Sequence, residues 1–522
     1  MSKKTKKNNK PKKQEKPVLR LQNKHPPTPI RLKYDAAQTT IENAKHWAMA
    51  DSLSADASMT PEIRRTLRNR ARYEVASNSY ARGMVLTLAA TCIGTGPRLQ
   101  LLSEDEEYNS LVETEFTAWS EAVRLCEKLQ TLRMAKIADG EAFAAILKNP
   151  RLKHPVEIDL RLIEADRITT PYPDIANNVD GIEYDKFGNP VRYYVSSEHP
   201  GDSSLWYGQF ETVSAEYMLH WYRVDRPGQH RGLPEIMPAL PLFAQLRRYT
   251  LAVLAAAETA ADFAAVLYTD SPANGEAQPL EAMDVVELEK RMATVLADGW
   301  KLGQIKAEHP NTTYSEFKRE ILGEIGRCLQ VPVNILLGDS SKHNYASGRL
   351  DHQTFFKSIK VEQTSCEQVI LYPLFNAWYR EAVRIGLLRH PKTAFPLTRK
   401  ATTGSDFLQR RGSDNCGEAA RFFWDGLEHV DPVKEANASV ARIKSMTSNL
   451  AIECGKAGLD WEDVLNQAAK ERKRMIKLGL NPNSITETET QNNEEDDETN
   501  EPDSPTESDQ ARLKRRKRSN KP

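Results

Sequence analysis

Near the middle of the chain, residues 241–267 read "PLFAQLRRYTLAVLAAAETAADFAAVL", a stretch that as a helix carries apolar residues on every side. Such a helix must be covered all round, by lipid, by the core of a larger fold, or by copies of itself. Arg247, Arg248, Glu258 and Asp262 interrupt it, and its many alanines contribute little transfer energy, so it fails as a membrane span. Alanine is the best helix former and has the smallest side chain bar glycine, so the segment predicts a stiff, slim rod that other helices can approach closely. The rod is expected over about residues 235–268, entered through the turn-rich "RPGQHRGLPEIMPAL" of residues 226–240.

At 522 residues the chain is long enough for two or more domains. Its formal net charge of zero hides a partition. Residues 1–33 hold twelve Lys or Arg against one Glu, 487–509 hold eleven acids and no base, and "ARLKRRKRSNKP" closes the chain. Such blocks repel themselves and bury no apolar surface, so both ends are expected to be disordered. The basic ends read either as contacts for nucleic acid or an acidic partner, or as solubilising tails. Six scattered cysteines (Cys92, Cys126, Cys328, Cys366, Cys416, Cys454) without a C-x-x-C pair read as reduced, mostly buried thiols. The lysines of the N-terminus are not followed by an apolar core, so no signal peptide is expected there.

The pattern along the chain predicts an α+β fold, mainly α. Residues 34–100 read as helices, one capped by Thr60 with Pro61 at its first position. Arg64, Arg65, Arg68, Arg70 and Arg72 cluster on that helix, either as a phosphate strip or as partners of neighbouring acids. "GTGPRLQLL" is a turn, since a lone Gly-x-Gly without a third glycine is no dinucleotide signature. Residues 109–148 read as helical and 156–222 as a small antiparallel sheet, with a hairpin turned by Asp185, Gly188, Asn189 and Pro190. A second helix starts with a capping box at Thr313 and Glu316 and stops at Pro332. The loop "PVNILLGDSSKHNYASGRLDH" follows, then a long helix with a kink expected at Pro373, and helices over 415–479, one capped by Asp431 and one by Asp460.

The chain has no P-loop, H-E-x-x-H, G-x-S-x-G, EF-hand or zinc spacing, so no cofactor or metal site is expected. The nearest catalytic constellation is Asp339, Ser340, Ser341, Lys342, His343, Tyr345, Arg349, Asp351 and His352. A nucleophile and base must face each other across a reacting atom, and here all candidates come from one loop with no second element evident to orient them.

The order of "RARYEVASNSYARG", "GTGPRLQ", "LIEADRI", "VDGIEYDKFGNPVRYYV", "HWYRVDRPGQHRGLPEIMPAL", "LQVPVNILLGDSSKHNYASGRLDHQTFFKSI" and "VDPVKEANA", after "YDAA" near the start, resembles the portal proteins of tailed bacteriophages, in particular the lambda-like group. The resemblance spans most of residues 34–480. It implies a non-enzymatic virion protein, made in the host bacterial cytoplasm and assembled as a homo-oligomeric ring of about twelve subunits at one capsid vertex. Double-stranded DNA passes through such a ring during packaging and ejection. The implied partners are the terminase large subunit, the major capsid protein and head-tail completion proteins, with no membrane.

By the same resemblance, 1–33 is a disordered basic arm, 34–234 the wing, 235–268 the stem helix, 269–311 the clip and 312–330 the second stem helix. The tunnel loop is 331–352, a wing return helix 353–402, a helical crown 403–480 and a disordered tail 481–522. Lys342, His343 and Arg349 are then candidates to face DNA in the channel. A conduit must not hold the duplex, and a near-neutral body with basic charge confined to its tails fits that need, because each phosphate neutralised strengthens binding through counterion release. Two other readings stand beside it: a hydrolase or nuclease using the 339–352 loop, and a monomeric DNA-binding scaffold.

Overall fold

The computed structural model describes residues 40–41, 43–101, 103, 105–171, 178–202, 209–262, 266–269, 300–303, 311–341, 345–388, 420–426 and 432–480. The chain divides into two compact units, Met1–Ser54 and Ala55–Pro522. In the first, Thr40 and Asn43 bond reciprocally, each backbone N–H donating to the other's side-chain oxygen (2.7 and 3.3 Å).

The second unit opens with α1 (Ala55–Ser58) and α2 (Pro61–Ser77). Thr60 caps α2 as its sequence predicts, its side chain accepting from the Ile63 N–H. Asn78 closes α2 and caps α3 (Ser79–Ile93), its Oδ1 accepting from the Tyr80 and Ala81 N–H groups. After the Gly94–Gly96 turn come β1 (Arg98–Leu101), α4 (Glu106–Ala122) and α5 (Leu125–Asp139).

Helix was expected to continue to residue 148, and here the structure differs. Gly140, at φ 89°, ends α5, and β2 (Glu141–Lys148) follows. Strand β2 is central and buried on both faces, so its sequence lacks the alternation of a half-exposed strand. Ala142, Ala144 and Ile146 join the main core, while Phe143 and Ala145 join a smaller one.

Strand β3 (Ile158–Ile163) and β8 (Met218–Tyr222) flank β2 in a three-stranded antiparallel sheet. Between them in sequence, β4 (Asn178–Val179), β5 (Ile182–Tyr184), β6 (Pro190–Ser196) and β7 (Phe210–Ser214) form a four-stranded meander. The β5–β6 turn is built as expected: Asp185 Oδ1 accepts from the N–H groups of Phe187 and Asn189, both at 2.8 Å, and Gly188 takes φ 83°. The smaller core, with Phe143, Ile163, Ile168, Ile182, Tyr193, Val195 and Met218, fills the space between these two sheets.

The rod, expected as a helix over about 235–268, is shorter: α6 covers Leu240–Asp262, and the β-branched and aromatic residues after it form a strand, β9 (Val266–Thr269), paired with β10 (Trp300–Gly303). The acidic helix expected between them lies outside the described residues. Helix α7 (Asn311–Cys328) starts two residues before Thr313, which therefore sits inside the first turn rather than at the cap. The expected loop over 331–352 is shorter than its composition suggested. Val333–Leu337 form a short helix, α8, closed by Gly338 at φ 62°, and α9 (Tyr345–Cys366) has begun by Tyr345. The polar residues of the first turns of α9 look like loop residues in sequence.

The kink expected at Pro373 takes the form of a π turn over Glu367–Leu371, after which α10 (Tyr372–Arg384) carries on. Proline has no N–H to donate and its ring crowds the preceding turn, and a wider turn relieves both. Beneath it, Phe116, Trp119, Phe375 and Trp378 pack ring against ring at centroid distances of 5.1–6.2 Å.

The C-terminal stretch, expected to be helical, also holds a strand, β11 (Ala420–Phe423), paired with β1. Four residues are too few for a periodic signal, and the strand's partner lies more than 300 residues upstream. Helices α11 (Pro432–Lys444), α12 (Leu450–Lys456) and α13 (Trp461–Lys477) complete the fold, Asp460 capping α13 as expected. Asp431, the other expected cap, lies outside the described residues.

Candidate functional site

The chain enters α6 through "HRGLPE", residues 230–235, and this short stretch is where the fold concentrates its buried charge. Arg231 is fully buried. Its Nε and Nη2 donate to the two oxygens of Glu141 at 2.8 and 2.6 Å, the paired geometry that guanidinium and carboxylate favour. Its remaining donors reach the carbonyls of Ala165, Ile168 and Asp180. Glu141 also accepts from the Gly232 N–H (3.1 Å) and lies 3.2 Å from His220 Nε2. Burial alone would push the Glu141 carboxyl up; Arg231 and His220 overcome it and hold the group well below the carboxylate range. Burial pushes the His220 imidazole down, against the opposing pull of Glu141, and the ring stacks between Phe143 and Tyr222 at 4.2 Å from each.

Around this pair lies a wider lattice. Arg64 binds Asp180, and Arg68 lies 3.4 Å from both Glu141 and Asp166. Arg72 pairs with Asp139 at 2.6 Å and Asp166 at 2.7 Å. Four guanidinium groups (Arg64, Arg68, Arg72, Arg231) thus meet four carboxylates (Asp139, Glu141, Asp166, Asp180). The arginine cluster of α2 is therefore mostly spent on neighbouring acids; Arg65 and Arg70 are the two left exposed.

A second lattice grips the last residue of the same stretch. Glu235 accepts from Arg133 at 2.9 Å and lies 3.6 Å from Lys136, whose ammonium also meets Glu362 of α9 at 2.5 Å and sits over the Trp221 ring at 4.7 Å. Two glycines let the backbones touch. A side chain on Gly140 would fall 2.1 Å from the Leu233 carbonyl carbon, and one on Gly232 would fall 2.1 Å from the Gly140 oxygen. The foot of α6 is thereby fixed to α2, α5, β2 and α9 together.

Beyond its foot, α6 is progressively uncovered. Phe243 and Leu246 are buried, and Tyr249 still packs on Tyr314 and Phe317 of α7 at 5.8 and 4.5 Å. Further along, Leu251 and Leu254 are 59% and 54% exposed and Ala255–Ala257 face solvent. No helix among the described residues is long and apolar enough to cross a membrane.

Of the loop candidates, Lys342 and His343 lie outside the described residues, and Arg349 is half-buried in the first turns of α9. Asp339 Oδ1 accepts from the Ser341 N–H at 2.9 Å and its other oxygen lies 4.0 Å from Arg319 of α7. Among the described residues, no hydrogen bond joins Ser340 or Ser341 to His352, whose ring packs near Phe356. No group of three or more His, Cys, Asp or Glu with metal-binding geometry occurs among the described residues. The described cysteines, Cys92, Cys126, Cys328, Cys366 and Cys454, are free thiols, and the first, fourth and fifth of these are buried.

Sequence reasoning quoted "RPGQHRGLPE" as a turn and missed that Arg231 and Glu235 are its anchors. The available signal was charge retained between Gly, Leu and Pro immediately before an apolar rod.

The buried charges are spent on one another, and apolar surplus is left exposed along α6. The family model described as phage portal protein, lambda family, matches residues 42–363, and the chain belongs to that family. A probable portal protein of Halomonas phage phiHAP-1 is 24% identical over 91% of this chain and 94% of its own. Portal protein B of Escherichia phage lambda is 22% identical over 66% and 68%. Among solved structures, the neck of an empty gene transfer agent (GTA) particle, computed with C6 symmetry, aligns at 16% identity over 78% of this chain and 97% of that one, with a TM-score of 0.42.

Proposed function

We propose that this chain is the subunit of a portal ring, about twelve copies standing at one capsid vertex. Double-stranded DNA passes along the ring axis during packaging and ejection, the terminase large subunit docks on it, and head-tail completion proteins later take the motor's place. In this reading the wing spans residues 34–234, α6 and α7 are the stem, residues 269–311, with β10, are the clip, the tunnel loop lies within 331–352 and 403–480 form the crown. The observation that carries it is the uncovered end of α6. Leucines and alanines on an exposed, charge-poor rod are costly in water and gain about 25 cal/mol for each Å2 of apolar surface covered. Flanks of neighbouring copies supply that cover without any wide side chain in the way. The lattices at its foot fix the angle at which the rod leaves the wing, which a closed ring requires to be the same in every copy.

Sedimentation analysis of the purified chain tests the reading: a species of roughly a dozen copies supports it, and a persistent monomer at micromolar concentration overturns it. With Leu254→Asp the ring is expected to fail while the monomer's far-ultraviolet circular dichroism is unchanged.

A further inference from the structure

The helices α12 and α13 meet the rest of the fold along one seam. Arg98 donates to the Gly458 carbonyl at 2.8 Å, Gln100 to Asp460 at 3.2 Å, and the glycines Gly426 and Gly458 bring two backbones into contact. In the seam lies Glu113 of α4, a partly buried carboxylate that accepts one backbone N–H, that of Leu101, at 2.6 Å. The charged groups that act on it from α13 are Asp460, Glu462 and Asp463, all acids, and Glu106 of its own helix acts on Glu462 in turn. Among the described residues none of these five carboxylates has an ion-pair partner. Of the cations on the flanking strands, Arg98 is bonded to the Gly458 carbonyl and Arg421 is exposed.

We infer that this seam is a proton-operated latch: with Glu113 protonated, α12 and α13 sit firmly on β1 and α4, and with Glu113 ionised the seam loosens. Burial, followed by the three α13 acids, pushes the Glu113 carboxyl up to about 7 in the closed seam. Once the helices lift, that carboxyl regains water and an ordinary carboxylate value near 4.5. The closed form thus binds the extra proton between those two values, so closure weakens as pH rises through that range and is weakest above it. Glu462, raised first by burial and then by Asp460, Glu106 and Asp463, pulls in the same direction.

Hydrogen exchange of residues 450–477 in the full chain, corrected for the intrinsic rate, reads the latch directly. Going from pH 6 to pH 8 is expected to lower protection there roughly tenfold, as the two titration values require, with little change in β2. Glu113→Gln is expected to remove most of that pH dependence, leaving only the smaller contribution of Glu462. Should Gln at 113 disturb the Leu101 contact, Asp463→Asn gives a second reading, because removing one repelling charge moves the loosening to lower pH. Protection independent of pH in the parent chain, or an unchanged pH dependence in both variants, overturns the latch.

Discussion

Replacing Arg231 by methionine keeps much of the side chain's volume and removes its charge. Glu141 would then stay fully buried with the Gly232 N–H, His220 and, at 3.4 Å, Arg68 to meet it, and would lose its paired bonds to a guanidinium. Removing one partner of a buried ion pair costs about 3–5 kcal/mol, because the other charge is left in a low-dielectric site. The carbonyls of Ala165, Ile168 and Asp180 also lose a donor, which places the expected cost toward the upper end of that range. Removing the carboxylate as well, in Arg231→Met with Glu141→Leu, abolishes the stranded charge, and the double variant is expected to recover about 2 kcal/mol or more relative to the single change. Urea unfolding followed by tryptophan fluorescence measures all four corners of the cycle, Trp221 lying beside the second lattice. If Arg231→Met costs less than about 1 kcal/mol, or if the two single costs simply add, the lattice does not hold the rod's foot and the reasoning fails.

The same pair carries a pH signature. Glu141's folded carboxyl lies below its ordinary value, so its stabilisation is complete above the unfolded value near 4.5 and is lost as pH falls toward the folded one. Urea midpoints of the parent chain should therefore drop between pH 5 and pH 3 more steeply than those of the double variant. Gly140→Ala combines a positive φ with a clash against Leu233, and a loss of about 2 kcal/mol or more is expected in the same urea assay. For the loop, Lys342→Ala and Arg349→Ala are expected to reduce the length of DNA packaged into particles; full-length filling in both removes these residues from any contact with the duplex.

What could be read from the sequence was whatever local chemistry decides. Thr60, Asp185 and Asp460 act on backbone groups within four residues of themselves, so their roles follow from spacing alone. Strand β2 could not be read that way. "EAFAAILK" is apolar at nearly every position because two different cores claim its two faces, and only the glycine before it marks the change from helix. Strand β11 and the lattice at the foot of α6 were hidden for another reason: Glu141 and Arg231 lie ninety residues apart, and their pairing is a property of the assembled sheet. The rod was legible as a helix because its alanine-rich composition favours one, whereas its buried foot and uncovered far end are set by the rest of the fold.

The wide turn at Glu367–Leu371 governs the register of everything that follows. From Phe355 onward, the core-facing residues Phe355, Ile359, Cys366, Ile370, Leu374, Trp378 and Ala382 recur mostly at intervals of four. On an ordinary α-helix each such interval overshoots a full revolution by about 40°, so the stripe would creep around the cylinder and carry Trp378 off the core. Five residues wound more loosely take back part of that creep. Deleting one residue there would leave the chain helical and yet swing Phe375 and Trp378 out of step with Phe116, parting α10 from the rings it now closes over.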